Sequence, residues 1–195
     1  MFAGIVSAVG SIREAKPARG GRRLVIDAGR LGLKDVATGD SIAVDGECLT
    51  VVAKRPRAFE VDVSRETLAC TAGFEAGRRV NLEKALRLAD RIGGHLVSGH
   101  VDGVGTVVEI RHSGANRIVT FRAPAGIAKY LARKGSVTVQ GVSLTVNSVK
   151  GRAFSVNLIP HTLAATTLGG LRVRDKANLE ADMVARYVEQ LRKSR

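Results

Sequence analysis

The chain has no tryptophan, and only five phenylalanines and two tyrosines among its 195 residues. A surface that grips single-stranded nucleic acid by stacking bases needs more rings than that. Cysteine is as scarce: Cys48 and Cys70 stand far apart, in no CxxC spacing. That excludes a disulfide framework and a cysteine-ligated zinc site, and suits a reducing compartment. No apolar run approaches the ~20 residues needed to span a bilayer, and residues 1–6 lack the basic start and long apolar core of a secretory leader. A soluble, cytoplasmic protein without membrane association is expected. Walker, Rossmann and GxSxG signatures are all missing.

Charge of one sign dominates, at +13 from 31 basic and 18 acidic residues. Such a field draws anions. The basic residues nevertheless fall in short groups at 19–23, 54–57, 78–79, 172–174 and 192–193, with no aromatics between them. Solvated turns and termini account for these groups, and no nucleic-acid partner is expected. Apolar residues make up 45% of the chain, with Val, Ile and Thr plentiful. This balance favours small β-rich cores filled by branched side chains.

What is present is one pattern written twice. SIAVDGECLTV at 41–51 returns as SVTVQGVSLTV at 136–146, with six of eleven positions identical at an offset of 95. The same offset joins Glu66-Thr67-Leu68 to His161-Thr162-Leu163, and Gly4-Ile5-Val6 to Gly99-His100-Val101. A period this long is a domain rather than a solenoid unit. Any ligand of one copy has a related pose in the other, so a site handling two similar molecules is the first idea. The expected units are 1–95, 96–182 and a terminal segment 183–195.

Within each unit, short alternating or apolar stretches follow one another with turn residues every ten or so positions. Residues 5–12 and 101–110 open the copies, and 24–26 and 117–121 come next. Residues 41–52 form a hairpin about Asp45-Gly46, echoed by Gln140-Gly141; 59–63 and 154–158 follow, and 80–83 and 177–180 close. Between the second and third stretches of the second copy, Ile127, Tyr130 and Leu131 are spaced for a helix over 124–134 ended by Gly135. An all-β chain of two small antiparallel barrels results. After them Asp182 caps a helix whose apolar stripe is Met183, Val184, Tyr187, Val188 and Leu191. A helix this short needs something to pack on, either its own barrels or another subunit.

Strand alternation puts Leu49 and Val51 on one face, and Cys48 and Thr50 on the other. Ser143 and Thr145 repeat the arrangement beside Leu144 and Val146. A small nucleophilic or hydrogen-bonding pair lets a planar heterocycle approach the backbone. The turn IGGHLVSGHVDG at 92–103 carries four glycines, which implies close backbone approach or positive φ. His95 and His100 lack further ligands at metal spacing, so no metal is expected. His100 with Asp102 reads as an acid/base pair, and residues 160–169 read as a turn entering a short helix.

Taken together, the opening MFxGIV, CLTV at 48–51, GGHLVSGHVDG at 93–103, GVSLTV at 141–146, IPHTL at 159–163 and NLExD at 178–182 resemble riboflavin synthase of the alpha-chain type, a lumazine-binding repeat family. The resemblance runs through the whole chain, in order. It implies tandem six-stranded Greek-key barrels, a homotrimer joined through the C-terminal helix, and no cofactor or metal. The implied reaction is dismutation of two 6,7-dimethyl-8-ribityllumazine molecules, with sites between the N-barrel of one subunit and the C-barrel of the next. One pocket would use Cys48, Leu49, Thr50, Asp62, Val63, Ser64, Arg65, Glu66 and Thr67, completed by Gly99, His100, Val101 and Lys134. The other would use Ser143, Leu144, Thr145, Leu158, Ile159, Pro160, His161, Thr162 and Leu163, completed by Gly4, Ile5 and Val6. His100, Ser143, Thr145, Cys48 and Asp182 are the expected catalytic residues.

Three positions depart from the family pattern. Ala3 replaces the usual Thr, Asp45 the usual Asn, and Gln140 the usual Asp. An amide does not titrate, so Gln140 cannot serve as a base, and Gln140→Asp is expected to keep activity. A non-catalytic lumazine- or flavin-binding relative and a basic nucleic-acid-binding barrel are the competing readings. The retained SGHVDG turn and both Leu-Thr strands favour the enzyme.

Overall fold

A computed structural model describes residues 1–193. Residues 194 and 195, the end of the expected third unit, lie outside the described residues. The first copy folds as β1 (Ala8–Ala18), β2 (Gly21–Asp27), β3 (Ser41–Val44), β4 (Glu47–Arg55), β5 (Ala58–Ser64) and β6 (Arg79–Lys84), with the short helix α1 (Arg65–Cys70) after β5. These strands close in the order β1-β2-β5-β4-β3-β6. The second copy repeats this as β7 (Gly103–Ser113), β8 (Asn116–Arg122), β9 (Ser136–Val139), β10 (Val142–Lys150), β11 (Ala153–Leu158) and β12 (Lys176–Ala181), with α2 (Ala125–Ala128) after β8 and α3 (Pro160–Ala165) after β11. Its closed order corresponds strand for strand. β2 pairs with β5, and β3 with β6, which is the Greek-key crossing.

Closing six short strands requires local bends. Register shifts occur at Ile12/Glu14 and Val51/Ala53 in the first barrel, and at Val107/Glu109 and Val146/Ser148 in the second. Each pair sits at the repeat offset, so both barrels are curved by bulges at the same places. The alternation read from sequence holds: Leu49, Val51, Leu144 and Val146 point inward, while Thr50 and Thr145 are exposed. Each barrel owns an apolar core, built around Phe59 and Phe74 in one and around Phe121 and Phe154 in the other. A third cluster of Phe2, Ala43 and Val97 lies apart from both, with Cys48 packed against it.

The helix expected over 124–134 shrinks to Ala125–Ala128. The Lys134 N–H is drawn instead to the Val146 carbonyl at 2.8 Å, and Gly135 N to Ala132 O at 2.9 Å, so the chain turns back onto the barrel wall. The first strands of the two copies also begin later than their apolar residues suggest, at Ala8 and Gly103. Residues ahead of those strands do other work, described below. The final helix, α4 (Met183–Lys193), is capped as expected, with Asp182 Oδ1 accepting from Val184 N at 3.0 Å. Among the described residues no helix is long and apolar enough to cross a membrane.

Candidate active site

The short segments ahead of each barrel cross to the other barrel. Ser143 N on β10 donates to Gly4 O at 2.8 Å, and Cys48 N on β4 donates to Gly99 O at 2.6 Å. These two bonds are related by the repeat. Phe2 and Val97 then bridge the crossing segments to one another, with N–H to O distances of 2.8 and 3.0 Å. Two glycines make the crossing possible. Gly4 has φ +73° and Gly99 φ +80°; a Cβ there would sit 2.6 Å from the Ser143 Cβ or 2.7 Å from the Cys48 Cβ. Only a residue without a side chain lets the backbone come this close.

Each segment is held by a carboxylate from its own barrel. Glu83 accepts from Ala3 N at 2.7 Å and Gly4 N at 3.1 Å; Glu180 accepts from Ser98 N at 2.8 Å and Gly99 N at 3.1 Å. Burial pushes both carboxyls up, Glu180 to about 7, against these stabilising N–H bonds. Beside the segments lie two related grooves. One of about 570 Å³ is lined by Ala3, Ile5, Ser41 and Glu83, and one of about 490 Å³ by Ser98, His100, Val101 and Glu180.

Ser143 has a partner the sequence reading missed. His95 Nδ1 lies 2.7 Å from Ser143 Oγ. Burial lowers the His95 pKa below its ordinary value, and the charge of Asp182 opposes that shift. The imidazole is therefore mostly neutral near pH 7 and suited to accept a proton from the hydroxyl. The chain at His95 lies close to the opening segment: His95 N donates to Ala3 O at 3.2 Å, and a Cβ at Gly94 would fall 2.1 Å from the same oxygen. His100, the histidine chosen from sequence, is exposed. The expected His100–Asp102 pair does not form: Asp102 accepts from Ala181 N at 2.8 Å and is paired with Arg186. The helix cation outcompetes an imidazole that points to solvent.

The remaining expected residues divide by face. Thr50, Ser64, Arg65, Glu66, Thr145, Ile159, Pro160 and His161 are exposed around the two strands, and Ile5 beside them is half-exposed. Thr67, Val101, Val6, Thr162, Leu163, Cys48 and Ser143 are partly buried. Leu49, Val63, Leu144 and Leu158 point into the cores, so only their backbone can meet a ligand. Asp62 faces Arg23 in a two-pronged ion pair with both bonds at 2.8 Å. Lys134, expected at the Cys48 pocket, sits within the chain beside Val146 of the other barrel. Both cysteines are free thiols.

The turn residues Asp45 and Gln140 are not at the site at all. Both are buried at the seam between barrels, with φ +48° and +51°. Asn81 Nδ2 reaches Gln140 O at 2.9 Å, Asn178 Nδ2 reaches Asp45 O at 3.0 Å, and Gln140 Nε2 donates to Asp45 Oδ2 at 3.4 Å. The question of a base at position 140 therefore falls away; this residue joins the barrels.

Two tandem closed barrels, each offering a small polar pair on a strand crossed by the other's glycine segment, define a duplicated binding protein for small planar molecules. The lumazine binding domain family matches the chain twice, over residues 3–85 and 98–182. Riboflavin synthase of Photobacterium phosphoreum is 47% identical over 98% of this chain and 88% of its own length. The riboflavin synthases of Brucella abortus and Mycobacterium bovis are 42% and 43% identical, over at least 98% of this chain and of their own. The crystal structure of LumP complexed with riboflavin shares the fold, with a TM-score of 0.85 over 93% of this chain and 99% of that one, at 24% identity. The chain belongs to the riboflavin synthase family.

Proposed function

We infer that this chain is a riboflavin synthase, a transferase of riboflavin biosynthesis. It converts two molecules of 6,7-dimethyl-8-ribityllumazine into riboflavin and 5-amino-6-ribitylamino-uracil by moving a four-carbon unit from one to the other. The observation that carries this reading is 47% and 43% identity with two riboflavin synthases over nearly the whole chain, across both repeats. The geometry supplies its physical basis. Cys48 with Thr50, and Ser143 with Thr145, present the same hydrogen-bonding face twice, so two identical substrates are bound in related poses. Holding both turns a bimolecular condensation into a local one.

Proton traffic is assigned to the Ser143–His95 pair. The neutral imidazole takes a proton through the hydroxyl. Asp182 near His95 favours the imidazolium that forms.

Assembly as a homotrimer is part of the proposal. Lys129 pairs with Glu189 at 2.8 Å, and Arg186 with Asp102, fastening one face of α4 to its own barrel. The opposite face leaves Val184 59%, Tyr187 68%, Val188 59% and Leu191 70% exposed. A stripe of this kind is suited to other copies of the helix. In a trimer an N-barrel pocket would meet a neighbour's C-barrel pocket, which brings Lys134 to substrate from across the boundary, while His100 lies on the crossing segment of the same chain. A cytoplasmic location completes the reading. Incubation with 6,7-dimethyl-8-ribityllumazine, followed by absorbance, tests it: riboflavin must appear, and a folded protein that yields none refutes the reading.

A further inference from the structure

The two pockets differ at a position next to the repeated polar pair. Position 47 on β4 is a glutamate, and its repeat counterpart on β10 is Val142. Glu47 Oε1 accepts from Thr67 Oγ1 at 3.3 Å, and Oε2 accepts from Val101 N at 3.1 Å. Thr67 is itself bound to Ser64, the cap of α1, through Ser64 Oγ at 3.1 Å. One carboxylate thus spans two walls of the N-barrel pocket: helix α1 and the crossing segment that carries Gly99. In the C-barrel the same places hold Val142, Thr162 and Val6, and a valine side chain can form no such link. Burial raises the Glu47 pKa, so its desolvation is offset only by these two bonds. A half-buried carboxylate without a cation is costly unless something is gained from it.

We propose that Glu47 is a positioning residue that fixes the two walls of the N-barrel pocket before ligand arrives and makes the two binding sites of each chain unequal. The inference rests on the assignment of both pockets to lumazine and flavin ligands. A wall already ordered loses less freedom on binding, so the N-barrel site is the tighter. Glutamine preserves the link, because its carbonyl accepts from Val101 N–H and its amide donates to Thr67 Oγ1.

The test is equilibrium titration of the full-length protein with riboflavin, which binds without turnover, followed by fluorescence quenching. Wild type should show two classes of site per chain. Glu47→Val should weaken the tighter class by about tenfold and leave the weaker unchanged, while Glu47→Gln stays within about threefold of wild type. Thr67→Val cuts the same link from its other end and should weaken the same class, which guards against a folding defect at position 47. Equal weakening of both classes, or no change in either, overturns the proposal. Failure of wild type to bind riboflavin overturns it together with the functional reading, whereas riboflavin synthesis with unselective variants overturns this inference alone.

Discussion

Asp45 and Gln140 face each other across the seam between the two barrels, with Gln140 Nε2 donating to Asp45 Oδ2 at 3.4 Å. They occupy equivalent turns of the two repeats, and each also anchors an asparagine backbone: Asn81 N to Asp45 Oδ1, and Asn178 N to Gln140 Oε1, both at 2.8 Å. One acid and one amide therefore satisfy a site where two acids would repel. Arg78 approaches Asp45 at 3.4 Å and supplies a partial counter-charge.

Gln140→Asp, expected from sequence to keep activity, tests the seam through stability instead. A second carboxylate placed opposite a buried Asp45 should destabilise the protein by about 3 kcal/mol at pH 8. Near pH 5 one of the two acids is protonated and the loss should be smaller. Urea unfolding at both pH values checks it; wild-type stability at pH 8 would mean the seam is looser than its hydrogen bonds indicate.

Stability should decline between pH 5 and pH 8. Burial pushes the Asp45 carboxyl up to about 6 and the Glu180 carboxyl to about 7. Both lie above the value of about 4 expected in the unfolded chain. Folding thus retains protons that unfolding releases, so this stabilisation is complete below about pH 4 and lost as pH rises through 6 to 7. Asp27 and Asp62, lowered by Gly29 N–H and Arg13 in one case and by Arg23 in the other, act oppositely but only at lower pH. Asp45→Asn should flatten the urea-midpoint profile by up to roughly 3 kcal/mol; a profile as steep as that of wild type would assign the effect elsewhere.

His95→Gln and Ser143→Ala should each lower kcat by about 10²-fold, with KM changed by less than about threefold. The double variant should be little worse than either single, as expected for groups that act as a unit. Steady-state kinetics decide this, and additive losses would separate the two residues. A comparable loss of kcat in His100→Gln would return the proton-transfer role to the exposed histidine.

Tyr187→Asp combined with Leu191→Asp should yield a smaller species in sedimentation, with the β-sheet circular dichroism retained. The substituted positions touch solvent in one chain, so folding of the barrels does not depend on them. Unchanged sedimentation would show that α4 plays no part in assembly.

The duplicated architecture was legible because it is written in short-range patterns. Alternation along 48–51 and 143–146 decides which side chains enter a barrel, and Asp45-Gly46 and Gln140-Gly141 mark where strands reverse. The cap at Asp182 follows the same local logic, since its partner is two residues away. By itself the sequence therefore determined two barrels, a terminal helix, and the strand faces that carry Cys48, Thr50, Ser143 and Thr145. Tertiary structure alone decided which histidine meets Ser143, because residues 92–102 have no periodicity to orient them. It also decided that Gly4 and Gly99 cross to opposite barrels, that Asp45 and Gln140 are buried together, and that Glu47 reaches Val101. Each of these depends on contacts between residues roughly 50 to 140 positions apart, fixed only once both cores have closed.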